Sequence, residues 1–220
     1  MRSRIRHSFD EQLMALQQDA VRMGSIAGLA VQHAIQMLTD RSTDASQVME
    51  LENQTDALNL EIESRAVHLL ALQQPMARDL RTIVGVLRII ADIERIGDYA
   101  VDTSRQAVTL AQRPLFKPLE DIPRMANLVQ SMLHDALEGF VRRDLELAMA
   151  AVRRDDEVDA VYRSLHNELT EFIQRDPSLT PQAIALLLIG VYLERQADHV
   201  TNIGERIYYM ETGSLKELHE

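Results

Sequence analysis

Apolar residues recur at steps of three and four along most of this chain, as in Leu58, Ile62 and Leu69 or Ile83, Leu87 and Ile90, with no strand-like alternation. That spacing puts them on one side of an α-helix, whereas a half-buried strand needs a period of two. Ala, Leu, Met, Gln, Glu and Arg dominate the long segments, and aromatic residues are only 4% of the chain, a composition that favours helix over sheet. The pattern predicts an all-α protein. Its six prolines fall in three places: Pro75, then Pro114, Pro118 and Pro123, then Pro177 and Pro181.

Six helices are expected between these marks. Ser8 and Glu11 have the spacing of a capping box, so the first helix should run from there to about Thr39, before the polar stretch DRSTD. The second should reach about Gln73, and Pro75 should open a third that ends near Gln112, since proline is tolerated in a first turn. The segment 113–123 cannot be regular helix and marks a boundary between two three-helix units, 1–115 and 116–220. The fourth helix should run from about Pro123 to Arg142 and the fifth from about Asp144 to Arg175. Thr180 should cap a sixth that Pro181 opens and that frays after about Met210.

The two units repeat in their residues as well as their rhythm. IERIGDYAVDTS from Ile93 and LERQADHVTNIG from Leu193 lie 100 residues apart, so Glu94, Arg95 and Asp98 recur as Glu194, Arg195 and Asp198. On the preceding helices ENQTDAL from Glu52 matches DDEVDAV from Asp155, and Glu52 and Asp56 recur as Asp155 and Asp159 at an offset of 103. Two copies of one unit, each burying its own apolar stripe, give two bundles.

Positions four apart on a helix are separated by about 40° and about 6 Å, so the carboxylates of an E/D-x-x-x-D pair address one patch. Each half has one pair on its second helix and one on its third, and Asp102 and Asn202 extend the third-helix rows by a turn. In the third helix Ile83, Leu87, Ile90, Glu94 and Asp98 form one row, and Ile184, Leu188, Val191, Glu194 and Asp198 repeat it in the sixth. Asp155 shares the row of Val152, Val158, Tyr162 and Leu165. Carboxylates that extend a packing stripe need a cation. Arg81, Arg88, Arg95 and Arg195 could supply it as interhelical salt bridges; alternatively the oxygens hold a hard metal ion such as Mg, Mn, Ca or iron. The repetition of four pairs with the repeat favours metal, because independent salt bridges have no reason to follow it. His199 lies 100° round from Asp198, beside the row, and reads as a ligand or as a packing or surface histidine. Met14, Met23 and Met37 read as core filler.

Charge and composition narrow the partners. Lys and Arg total 23 against 34 Asp and Glu, a net charge of −11, which disfavours nucleic-acid binding. The absence of cysteine excludes disulfides, thiol catalysis and zinc–thiolate sites. The start, MRSRIRHSFDEQ, is basic but lacks the apolar region of a secretory signal. The longest apolar run, 11 residues from Ala183 to Leu193, falls short of the roughly 20 that span a bilayer. A cytoplasmic protein without direct membrane insertion is expected. No histidine follows an acid by three positions, as in the Glu-x-x-His of ferritin-like oxidases, and no Ser-His-Asp order, phosphate-cradling glycine loop or H-E-x-x-H helix is present. No enzyme is expected.

ERIGDYAVDTS from Glu94, LERQADHVTNIGE from Leu193 and QQPMARDLR from Gln73 resemble the PhoU proteins, regulators of phosphate uptake and phosphate signalling in bacteria. The likeness covers essentially the whole chain. It implies two similar three-helix bundles whose E/D-x-x-x-D motifs bind metal ions (Fe, Zn, Mn or Mg) in multinuclear clusters. Those motifs map onto Glu52, Asp56, Glu94, Asp98 and Asp102, and onto Asp155, Asp159, Glu194, Asp198 and Asn202. The neutral Asn202 departs from a strictly acidic row, so the two sites need not be equivalent. The resemblance further implies a cytoplasmic, homodimeric adaptor between the ATPase subunit of the phosphate ABC transporter and a membrane sensor histidine kinase, restraining the starvation response when phosphate is plentiful. A metal-buffering bundle and a ligand-free helical scaffold remain the alternatives.

Overall fold

The computed structural model describes residues 2–214, with side chains from His7 onward. Its helices are α1 (Arg2–Asp40), α2 (Ser46–Gln73), α3 (Arg78–Ala111), α4 (Asp121–Arg142), α5 (Leu145–Val152), α6 (Asp155–Arg175) and α7 (Thr180–Thr212), with a 3₁₀ turn at Pro177–Leu179. No strand occurs among the described residues. The six expected helices are all present, the fifth divided into α5 and α6 at Arg153 and Arg154.

Three ends differ from expectation. Ser8 does not cap α1: the helix already runs from Arg2, because nothing upstream of Ser8 interrupts it, and the Ser8 hydroxyl instead accepts from Gln12 Nε2 at 3.3 Å. Pro75 lies in the α2–α3 connection rather than opening α3, and the left-handed backbone at Gln74 (φ 45°) and Ala77 (φ 50°) completes that turn. At the far end α7 continues to Thr212 and stops at Gly213, whose φ of 77° suits a residue without a Cβ; anything beyond Ser214 lies outside the described residues.

Each half packs its earlier helices around its last. α1 and α2 pack on α3, α4, α5 and α6 pack on α7, and α3 and α7 lie against each other along much of their length. The core follows the 3.6-residue period: Ile83, Val86, Ile89, Ile93 and Ile96 on α3 and Leu186, Ile189, Leu193 and Val200 on α7 are all at most 1% exposed. Met23 and Met37 are buried as expected, while Met14 is 59% exposed and fills no core.

The segment Pro177–Thr212, α7 with the turn before it, is long and apolar enough by length and composition to cross a membrane, with an 18-residue stretch of mean hydropathy 1.2 of which a third is buried. α7 packs against α3, α4, α5 and α6. Where α4 meets α5, a Cβ on Gly139 would come within 2.9 Å of the Ala148 nitrogen and the Asp144 oxygen, so the tight corner requires glycine. The break between α5 and α6 is held from α4: Arg154 bonds Ser131 Oγ at 2.5 Å and Asp135 at 2.9 Å.

The connector between α3 and α4 is fastened to both halves. Arg41 donates to the carbonyls of Ala111 (3.0 Å) and Arg113 (2.6 Å), placing a cation at the negative end of α3. Gln182 donates to the Pro114 carbonyl at 3.0 Å, and Phe116 meets Phe172 edge to face at 5.0 Å. Lys117, its side chain only 8% exposed, pairs with Asp121 and Glu168.

Candidate functional site

The α2–α3 pairing brings the first acidic set together. Thr55 of α2 packs on Gly97 of α3, which sets Glu52 and Asp56 opposite Glu94 and Asp98. Glu94, Asp98 and Asp102 are 30%, 37% and 35% exposed, so they sit at the edge of the core. A pocket of about 280 Å³ opens there, with Glu52, Asp98 and Asp102 among its walls. Burial raises the Glu94 carboxyl above its ordinary value, and the charges of Asp98 and, from α2, Asp56 add to that while Arg95 and His199 oppose it. Glu52 is raised likewise, first by burial and then by Asp56, Asp98 and Glu94. Carboxylates from two helices thus repel one another across the pocket.

The second set repeats this arrangement on α6 and α7. Burial raises Glu194, reinforced by Asp198, Asp159 and Asp155 and opposed by Arg195. The stem beneath repeats as well. At the offset of 100 residues Ile83 and Ile90 correspond to Ala183 and Gly190, all buried, and Ile184, 48% exposed, corresponds to Val84, 38% exposed. The expected α7 row through Ile184 therefore does not continue the core face: ten residues before Glu194 puts Ile184 about 80° from it in azimuth, and the buried face of α7 is formed by Ala183, Leu186, Ile189 and Leu193.

Four arginines reach the rows from outside. Arg95 lies 3.8 Å from Glu94 and 3.0 Å from Asp98, Arg105 2.6 Å from Asp102, Arg163 3.1 Å from Asp159 and Arg195 3.8 Å from Glu194, and all four guanidinium side chains are 58–65% exposed. Pairs that exposed are worth about 0–1 kcal/mol. Arg81, expected to neutralise an acid, donates instead to the Met210 carbonyl at 3.4 Å. Among the described residues no three acidic or histidine side chains converge tightly enough to hold an ion as they stand. The donor set nonetheless suits a hard cation: several carboxylates from two adjoining helices, crowded enough to raise one another.

Between the two sets runs a seam that sequence reasoning missed. Asp92 of α3 places Oδ1 2.9 Å from His199 Nδ1 and 3.2 Å from Asn202 Nδ2, both on α7. Tyr99 then stacks on Tyr192 and tilts against His199, with ring centroids 5.9 Å apart in each case. Burial, and then the charge of Asp102, raises the Tyr192 hydroxyl above its ordinary value. The repeat held a signal: an offset of 100 residues pairs Asp92 with Tyr192 and Tyr99 with His199, beside the acidic rows.

The family model described as the PhoU domain matches twice, over residues 20–107 and 122–207. The chain belongs to the PhoU family. It is 33% identical to a phosphate-specific transport system accessory protein PhoU homolog of Clostridium acetobutylicum, over 98% of this chain and 99% of that protein. It is 37% identical to the Caulobacter vibrioides PhoU homolog of the same description, covering 94% and 90% of the two chains. Among solved structures it superposes on PhoU from Pseudomonas aeruginosa with a TM-score of 0.90, at 29% identity over 94% of this chain and all of that one. The phosphate transport system regulatory protein PhoU from Streptococcus pneumoniae gives a TM-score of 0.87 at 27% identity, over 96% of this chain and all of that one.

Proposed function

We propose that this protein is a cytoplasmic, non-catalytic regulator of phosphate uptake, acting as a metal-binding, homodimeric adaptor. It connects the ATPase subunit of a phosphate ABC transporter with a phosphate-sensing histidine kinase and restrains the starvation response when phosphate is plentiful. The observation that carries the reading is full-length similarity to proteins named as accessory to phosphate-specific transport, combined with two acidic sets at matching places.

Metal ions would be held in the first half by Glu52, Asp56, Glu94, Asp98 and Asp102, and in the second by Asp155, Asp159, Glu194, Asp198 and Asn202. A bound cation supplies positive charge where the carboxylates repel one another. The chain's own contribution is to present oxygens from two helices at once, because two carboxylates on one helix rarely satisfy a hard cation preferring about six ligands. An ion so shared joins α2 to α3, or α6 to α7, and regulation is then steric or conformational.

The test is metal analysis of protein purified without a histidine tag, followed by pull-down with purified transporter ATPase and kinase fragments. Bound metal together with capture of both fragments is expected. Metal without partner binding would instead assign the protein to buffering, and neither would leave a scaffold.

A further inference from the structure

We infer that Asp92 is a positioning residue for the second-half acidic row: from α3 it sets His199 and Asn202 of α7, so the second-half site is completed by a first-half side chain. The inference rests on the metal reading above and adds residues to it. A carboxylate only accepts hydrogen bonds, so the groups facing Asp92 Oδ1 must be N–H donors. At 3.2 Å it therefore faces the Asn202 amide nitrogen, which fixes the side chain the other way round, with Oδ1 as the atom left to ligate. At 2.9 Å it accepts from His199 Nδ1–H, which turns the ring so that Nε2 is the atom left to ligate. A carboxylate that sets a ligand's free atom in this way is a common support of metal sites.

Two further observations agree. Asp92 and His199 are 16% and 21% exposed, so water competes weakly for these hydrogen bonds. Tyr99 packs against the imidazole, with ring centroids 5.9 Å apart. The reciprocal place is built differently: Tyr192 matches Asp92 and stands near enough to Asp102 to feel its charge, as Asp92 meets Asn202, but it stacks on Tyr99, and a phenol cannot replace a carboxylate that accepts two donors.

The experiment titrates Mn²⁺ into the metal-stripped full chain by calorimetry, in two backgrounds. With the first row disabled (Glu94→Gln with Asp98→Asn), Asp92→Ala and Asp92→Glu should weaken Mn²⁺ binding by roughly 10- to 100-fold. Asp92→Asn, whose carbonyl oxygen accepts the same two hydrogen bonds, should stay within about threefold of the Asp92 parent in that background. With the second row disabled (Glu194→Gln with Asp198→Asn), none of the three should change the affinity. Circular dichroism checks folding, and should Asp92→Ala fail it, the contrast between the Glu and Asn substitutions still decides. Parental affinity in Asp92→Glu, or equal losses in Asp92→Asn and Asp92→Glu, overturns the role of Asp92 alone. Unchanged Mn²⁺ binding in both row-disabled backgrounds overturns the metal reading itself.

Discussion

Positions 96 and 196 occupy the same place in the duplicated frame, yet one is isoleucine and the other glutamine. Both side chains are fully buried, and neither atom of the Gln196 amide has a hydrogen-bond partner among the described residues. The halves diverge in the same way elsewhere. Asp92 and His199 meet where the counterpart pair, Tyr192 and Tyr99, stacks. α2 is continuous over 28 residues, whereas its counterpart is cut into α5 and α6. Through all this the acids stay in register, apart from Asn202. The duplicated feature is thus the row of oxygens, while the packing beneath each row has its own solution, and two sites with nearly the same ligands can differ in affinity through their supports.

Four measurements would break or sharpen this contrast. The largest effect is expected from disabling one row: Glu94→Gln with Asp98→Asn keeps shape, removes two charges and should empty the first-half site while the second stays largely occupied. The mirrored change at Glu194 and Asp198 should do the reverse, and metal analysis that finds both doubles loaded like the parent would refute the duplicated-site reading.

Next comes the buried pair. Ile96→Gln loses apolar burial and strands an amide, which should cost roughly 3–5 kcal/mol in urea unfolding. Gln196→Ile should stabilise the protein by about 1–2 kcal/mol. A destabilised Gln196→Ile would show that the amide is satisfied in solution.

A smaller effect concerns pH. Glu52, Glu94 and Glu194 have carboxyls raised above their ordinary 4.5 in the folded state, so the folded form holds more protons than the unfolded one between 4.5 and the raised values. Their contribution to stability therefore falls as pH rises through that window and is lowest at neutral pH. In metal-free protein, Glu94→Gln should raise Tm at pH 7 relative to the parent, and the difference should shrink as pH approaches 4.5. Saturating Mn²⁺ should abolish the parent's disadvantage. The smallest effect is that of Arg95→Gln, which should change stability by less than about 0.5 kcal/mol because the guanidinium is 59% exposed; a loss above about 2 kcal/mol would restore arginine as the principal counter-charge.

Much of the fold was legible because helical spacing, proline placement and the repeat all agree. Ile83 and Ile90 mark a core face whose burial the structure bears out, and the 113–123 segment is irregular up to the start of α4 at Asp121. The break at Arg153 and Arg154 was not legible, since neither residue disfavours helix; it is fixed by ion pairing and hydrogen bonding to α4. The Ser8 cap failed because a capping pattern works only where the helix has a reason to begin. Of the site, the acidic rows could be read from one helix at a time. The Asp92 seam could not, because its contacts depend on how α3 and α7 are aligned, which no periodicity within either helix encodes.

The fastening of the connector has a mechanical consequence. Peptide between two repeats ordinarily serves as a joint, but here Arg41 grips it on one side while Gln182, Phe172 and Glu168 grip it on the other. A force applied to one repeat passes through these fastenings and through the α3–α7 contact, so the pair behaves as a single lever arm with no elbow. Severing the chain there would yield two fragments with torn apolar flanks rather than two working modules. A partner that pulls on either end must move the whole body, or else open a bundle from within.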